Sequence, residues 1–235
     1  MLIELYSRGP DSEGIFRKPP NIRQVREYHN ILDNGGFMDM AETNIAVIGA
    51  LMKEFLRSLP DCLLDSNLFN NWVEITRESN KEERIFKTVQ LCSRLPQSNF
   101  MLLQYLLCIF HEISIKSSKN LMTASNLAIC ISPSLLWPPQ RDNEMINPVA
   151  MMIASETVEF LINNISYIFG DRILHIFTHS NFISSSDFNS NFQRDDWRRK
   201  NRLRSVSSCN TSLSNCSFET LHYISKYENP FIVYV

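Results

Sequence analysis

Nowhere in these 235 residues is there an apolar run long enough to cross a bilayer. The longest, FMLLQYLLCIF at residues 100–110, is broken at Gln104 and falls far short of the ~20 residues a spanning helix needs. It reads as a buried core helix. The N-terminus, MLIELYSRGPDS, has neither a basic region nor a small-residue cleavage site, so no signal peptide is expected. Net charge is only −2, which gives no global attraction to nucleic acid or to an anionic membrane. The six cysteines form no CxxC pair and the five histidines are dispersed, so neither a disulfide nor a metal site is expected. Cys92, Cys108 and Cys130 fall inside apolar helical patterns, where a free thiol packs as a small hydrophobe. The compartment expected from this usage is reducing, and the location cytoplasmic.

The self-contained catalytic signatures are missing too. There is no GxxxxGK followed by Ser or Thr, no GxSxG, no HExxH and no DxDxDG calcium loop. No stretch alternates with period two, so a sheet is not expected.

What is present is helical periodicity. Residues 2–7 read as a helix stopped by Gly9-Pro10, and residues 21–33 as a second, with Val25, Tyr28 and Leu32 on one stripe. In the third, about 42–58, Ile48, Leu51, Met52, Phe55, Leu56 and Leu59 recur at steps of three and four before Pro60. A fourth begins near Asn67. The fifth is expected to start at Asn80, with Glu83 completing a capping box. Ser98 is the expected cap of the apolar sixth, which runs to about Ile115. A seventh spans about 123–131 and stops at Ser132-Pro133, and another follows through VAMMIASETVEFLINN. The fold class expected is all-α, a single bundle of roughly nine helices.

Composition changes near residue 172. Serine, threonine and asparagine supply 22 of the 63 residues from 173 to 235, which bury too little to offset ordering entropy. The chain therefore divides into a helical domain, 1–172, and a largely disordered tail, 173–235.

Three polar features break the helical pattern. Lys53 and Arg57 lie four apart on a face turned away from the apolar stripe, where a solvated charged face is the ordinary reading. Asn126 sits one turn into an otherwise buried helix, where an amide requires a specific partner such as a loop carbonyl. In SEGIFRKPPN, residues 12–21, Arg17 stands behind the apolar pair Ile15-Phe16 and ahead of Pro19-Pro20. Alone, it reads as a surface arginine.

These features, in this order, resemble the RhoGAP domain, the module that activates GTP hydrolysis by Rho-family GTPases. The matching blocks are EGIFR at 13–17, LMKEFLRSLPDCLL at 51–64 and NLMTASNLAICISPSLLW at 120–137. The resemblance runs from about Leu2 to about Phe169, and LIELYSRGPDSEGIFR is similar to the subgroup containing T-cell activation Rho GTPase-activating protein. It implies that Arg17 is the arginine finger inserted beside the γ-phosphate of a partner GTPase. Lys53 and Arg57 then match the basic pair that contacts the GTPase and holds the finger loop, Asn126 a GTPase-facing asparagine, and Pro133 the proline ending that helix. The implied partner is a GTP-bound Rho-family small GTPase of Rho, Rac or Cdc42 type. GTP and Mg belong to that partner, so no cofactor of the chain's own is expected. The chain is expected to act as a monomer and as a GTPase activator, not as a self-sufficient enzyme.

The chain departs from the family at two places. Pro19 and Pro20 stand where members carry small or polar residues; they remove two N–H donors and hold Lys18 away from the α region. The further segment that family domains carry ahead of the first helix is expected to be missing. These departures leave an alternative, a RhoGAP-fold binding module or scaffold that holds a Rho-family GTPase without accelerating it. In the tail, Ser205 and Ser207 each follow an arginine by three residues (Arg202 and Arg204), a spacing that suits basic-directed phosphorylation.

Overall fold

Side-chain caps decide where several helices begin. The computed structural model describes residues 1–139 and 147–177, and among them stand ten α-helices and no strand. They are α1 (Leu2–Arg8), α2 (Ile22–Asp33), α3 (Ile45–Ser58), α4 (Phe69–Thr76), α5 (Lys81–Cys92), α6 (Gln97–Ile115), α7 (Ser117–Asn120), α8 (Ala124–Ile131), α9 (Pro148–Asn163) and α10 (Ile165–Phe169). Asn21, Asn44, Asn80, Thr123 and Asn147 each accept a first-turn N–H through the side chain, opening α2, α3, α5, α8 and α9.

Three sequence expectations shift in detail. α3 starts at Ile45, not Glu42, because Asp39 Oδ1 accepts the N–H groups of Ala41 and Glu42 and folds that segment into a turn. α6 starts at Gln97 behind Pro96, whose extended backbone (ψ 148°) forms the cap, and Ser98 lies inside the first turn. The capping box at Asn80 is half made. Asn80 Oδ1 takes the Glu83 N–H at 2.9 Å, but the Asn80 N–H goes to Glu78 Oε1 at 3.1 Å.

α6 is the central post of the bundle. It has the length and mean hydropathy (1.2) of a membrane span, yet half of it is buried inside the fold. Leu103, Leu106, Leu107, Phe110 and Ile113 are all at most 1 % exposed, so its apolar surface is already taken up by the core. Cys62, Cys92 and Cys108 are buried free thiols, and burial pushes the latter two up to about 12, which leaves them inert. The packed body continues beyond residue 172: Ile173 is fully buried, and Phe177 stacks on Tyr6 of α1 at 4.4 Å. Ser205 and Ser207, and the expected disorder of most of the tail, lie outside the described residues.

Arg8 ties the N-terminal helix to the turn ahead of α3. Its guanidinium donates to the carbonyls of Met40 (3.2 Å), Ala41 (2.9 Å) and Thr43 (2.9 Å), and pairs with Glu4 at 3.1 Å. Arg8→Ala removes these donors at a part-exposed site, where water replaces some of them. The expected loss is about 1–2 kcal/mol of stability, read as a lower urea midpoint at unchanged m-value. An unchanged midpoint would show the turn to be self-supporting.

Candidate functional site

The loop between α1 and α2 is built so that its apolar residues point inward and its arginine outward. Gly14 has φ +67° and Phe16 φ +66°, two left-handed residues that turn the chain sharply around Ile15. Glycine adopts this freely. A Cβ at position 14 would lie 2.9 Å from the exposed Lys18 side chain, which can move aside, so it is the dihedral that calls for glycine. Phenylalanine does not adopt it freely, and a bulky residue held there costs about 1–3 kcal/mol. The surroundings hold it. Ile15 and Phe16 are 2 % and 5 % exposed, and the Phe16 ring meets Phe110 of α6 edge-on at 5.7 Å.

Hydrogen bonds hold the same loop at several points. The N–H groups of Arg17 and Lys18 both donate to the Gly14 carbonyl, at 2.9 and 2.8 Å. Lys53 Nζ on α3 donates to the Phe16 carbonyl at 2.9 Å. The Gly14 N–H donates to the Asn120 carbonyl at 2.8 Å, and Lys18 pairs with Glu13 at 3.0 Å. Arg17 is left exposed at the apex, and its guanidinium takes no hydrogen bond or ion pair among the described residues. Pro19 and Pro20 follow, and Asn21 then caps α2. The loop's internal bonds use the N–H groups of residues 17 and 18, so the two prolines remove no donor from it.

Of the other expected site residues, Lys53 reaches this loop directly, and Arg57, Asn126 and Pro133 lie on α3, on α8 and in the turn after α8. Lys53 is half-buried, and burial, reinforced by Arg57, lowers its pKa from the ordinary lysine value. Arg57 is exposed and donates to Ser134 Oγ at 3.2 Å, fastening α3 to the turn Ser132–Ser134, where Pro133 is exposed. Asn126 is half-buried on α8; its Nδ2 donates to the Leu121 carbonyl at 3.2 Å, the loop-carbonyl partner its position called for. Cys130, four residues on and hence on the same face of α8, lies near enough to Lys53 and Arg17 that both cations oppose the upward shift that burial gives its thiol. Arg17, Lys53, Arg57 and the Asn126 face of α8 therefore border one surface. Among the described residues no three His, Cys, Asp or Glu side chains come together as a metal site.

Two contributors were not singled out from the sequence. Asn120 is fully buried, and its Nδ2 donates to the carbonyls of Pro10 (2.9 Å) and Ile113 (2.8 Å) while its Oδ1 accepts the Met122 N–H (2.8 Å). It joins the start of the Arg17 loop, the end of α6 and the approach to α8. Its only sequence signal was an amide beside the apolar Leu121-Met122. Gly49 is a buried glycine inside α3, and a Cβ there would lie 3.2 Å from the Phe16 ring. Its signal was a glycine interrupting the best apolar stripe in the chain.

Comparison with known proteins bears on this arrangement. The family model described as RhoGAP domain matches residues 1–140. Rho GTPase-activating protein 20 of Homo sapiens is 38% identical over 182 residues, covering 75% of this chain and 15% of that protein. T-cell activation Rho GTPase-activating protein of Homo sapiens is 36% identical over 182 residues, covering 74% of this chain and 24% of that protein. The chain thus spans less than a quarter of the length of either relative. Among solved structures, human Rho GTPase activating protein 15 superposes with a TM-score of 0.66 at 26% identity, over 72% of this chain and 81% of that one. The BH domain from GRAF, the GTPase regulator associated with focal adhesion kinase, superposes with a TM-score of 0.62 at 24% identity, over 74% and 90%, a likeness of fold.

Proposed function

The chain belongs to the RhoGAP domain family, and from that premise we propose that it accelerates GTP hydrolysis by a Rho-family small GTPase by inserting Arg17 in trans. Phosphoryl transfer leaves a protein little covalent work, so catalysis is positioning and charge stabilisation. A guanidinium suits the task because it is planar, permanently charged and donates to two oxygens at once. The observation that carries the reading is the loop: its backbone is held from α3 by Lys53 and from Asn120 at the end of α7. At its apex the Arg17 side chain is left outward and, among the described residues, unpaired, whereas its exposed neighbours Lys18 and Glu13 pair with each other. A cation placed in advance spares the encounter complex the ordering of its backbone.

In this reading Lys53 positions the finger through the Phe16 carbonyl, Arg57 braces α3 against the Ser132–Ser134 turn, and Asn126 presents its side chain beside the finger. Lys53→Met keeps most of the aliphatic stem and removes the donor. It is expected to slow stimulated hydrolysis about tenfold, the loss of one charge-assisted bond of roughly 1.4 kcal/mol. Stopped-flow phosphate release reads this directly, and a rate equal to the wild type would remove Lys53 from the positioning set.

The deciding experiment is single-turnover hydrolysis by purified GTPases of Rho, Rac and Cdc42 type, with and without this protein. Acceleration of one of them supports the reading and identifies the substrate. Tight association with a GTP-loaded partner at an unchanged hydrolysis rate would instead establish a scaffold.

A further inference from the structure

We propose that Gly49 and Phe110 form a socket for the Phe16 ring, and that the depth at which the ring sits sets the reach of Arg17. This rests on Arg17 acting as the trans-supplied arginine, and it adds two positioning residues that touch neither the nucleotide nor the partner.

The socket is read from three contacts on one residue. Gly49 lies inside α3, where glycine is the poorest non-proline choice for the helix. Its backbone is helical, so no unusual dihedral calls for it. Space does. A Cβ built at position 49 would stand 3.2 Å from Phe16 Cδ1, 3.3 Å from Phe16 Cε1 and 3.5 Å from Ile15 Cδ1. The finger loop therefore rests directly on the α3 backbone. Elsewhere the Phe16 ring meets Phe110 of α6 at 84°, with centroids 5.7 Å apart. Lys53, four residues beyond Gly49 and so on the same helix face, takes the Phe16 carbonyl at 2.9 Å. One face of α3 grips Phe16 by its ring and by its backbone, and Arg17 is the next residue. The left-handed φ of +66° at Phe16 persists because these contacts hold both its ring and its backbone. Lifting the ring therefore moves the Arg17 Cα with it. A misplacement of about 1 Å can cost on the order of a hundredfold in rate.

The geometry also grades the substitutions. An alanine methyl at 49 asks the ring to yield by a few tenths of an ångström, and alanine improves the helix. A valine, stiff at χ1, cannot turn its branch aside.

The test uses the full chain and a GTPase that it accelerates. It compares Gly49→Ala, Gly49→Val, Phe110→Leu and Arg17→Ala by three readings: melting temperature, single-turnover rate, and affinity for the partner loaded with a non-hydrolysable GTP analogue. Gly49→Ala is expected to melt no lower than the wild type and to stay within about threefold in rate. Gly49→Val is expected to lose about a hundredfold in rate, and Phe110→Leu about tenfold, with affinity within about threefold in both. Pairing Gly49→Val with Phe16→Leu, which makes room for the branch, is expected to regain about tenfold. Wild-type rates in a folded Gly49→Val, or in Phe110→Leu should Gly49→Val not fold, overturn the socket. So does a loss of affinity as large as the loss of rate, since the residues would then be shaping the docking surface. If Arg17→Ala loses the stimulation while the socket variants keep it, only the socket falls. If Arg17→Ala changes nothing, or the wild type accelerates no GTPase, the arginine reading falls and the socket with it.

Discussion

Arg17→Ala is expected to abolish all but a trace of the stimulated hydrolysis, a loss of roughly 10³-fold or more, the scale on which a trans-supplied arginine acts. The fold is expected to be untouched, because the side chain is exposed and bonds to nothing among the described residues. Affinity for the GTP-loaded partner should fall far less than the rate, since the guanidinium matters most where charge develops in the transition state. Arg17→Lys is the sharper control. It keeps the charge but not the planar fork, and should remain more than tenfold below the wild type. A lysine variant with full activity would mean that charge alone suffices, and a fully active alanine variant would remove the finger altogether.

Asn120→Ala is expected to be the most destabilising single change at the site. It strands the Pro10 carbonyl and the Met122 N–H in a buried place, while the Ile113 carbonyl keeps the Lys116 N–H. Each unpaired buried group costs about 1–3 kcal/mol, so the two together come to about 2–6 kcal/mol against a total of roughly 5–15. Urea denaturation measures it, and a loss below about 1 kcal/mol would show that water replaces the amide at no penalty. Asn120→Asp is expected to do little better, because a carboxylate accepts from Met122 but donates to neither carbonyl.

Much of the fold was legible because it depends on local patterns. The stripe from Ile48 to Leu56 fixed α3, and Asn80 and Thr123 announced their helices through short-range capping. The short α7 and α10, four and five residues long, carry too few turns to show a period. Ser98 misled because proline can open a helix without a side-chain cap. At the site, spacing placed Lys53 and Arg57 on one face, but the Lys53 bond to Phe16 crosses between segments far apart in the chain, and no local signal encodes it. Asn120 was hidden in part for the same reason: its Pro10 partner lies far away in the chain, although Ile113 and Met122 are close.

The bond from the Gly14 amide to the Asn120 carbonyl also fixes a clock. That proton lies on a buried residue and meets deuterated water when the loop lifts off α3 and the end of α7. Its exchange therefore reports how often the loop opens in the resting protein. The neighbouring Arg17 amide, held within the turn by the Gly14 carbonyl, reports whether the turn itself comes apart. Two protons of one loop thus separate a loop that swings as a rigid piece from one that melts. If the swing dominates, partner binding slows exchange at Gly14 and leaves the ratio of the two rates to reveal which state the GTPase meets first.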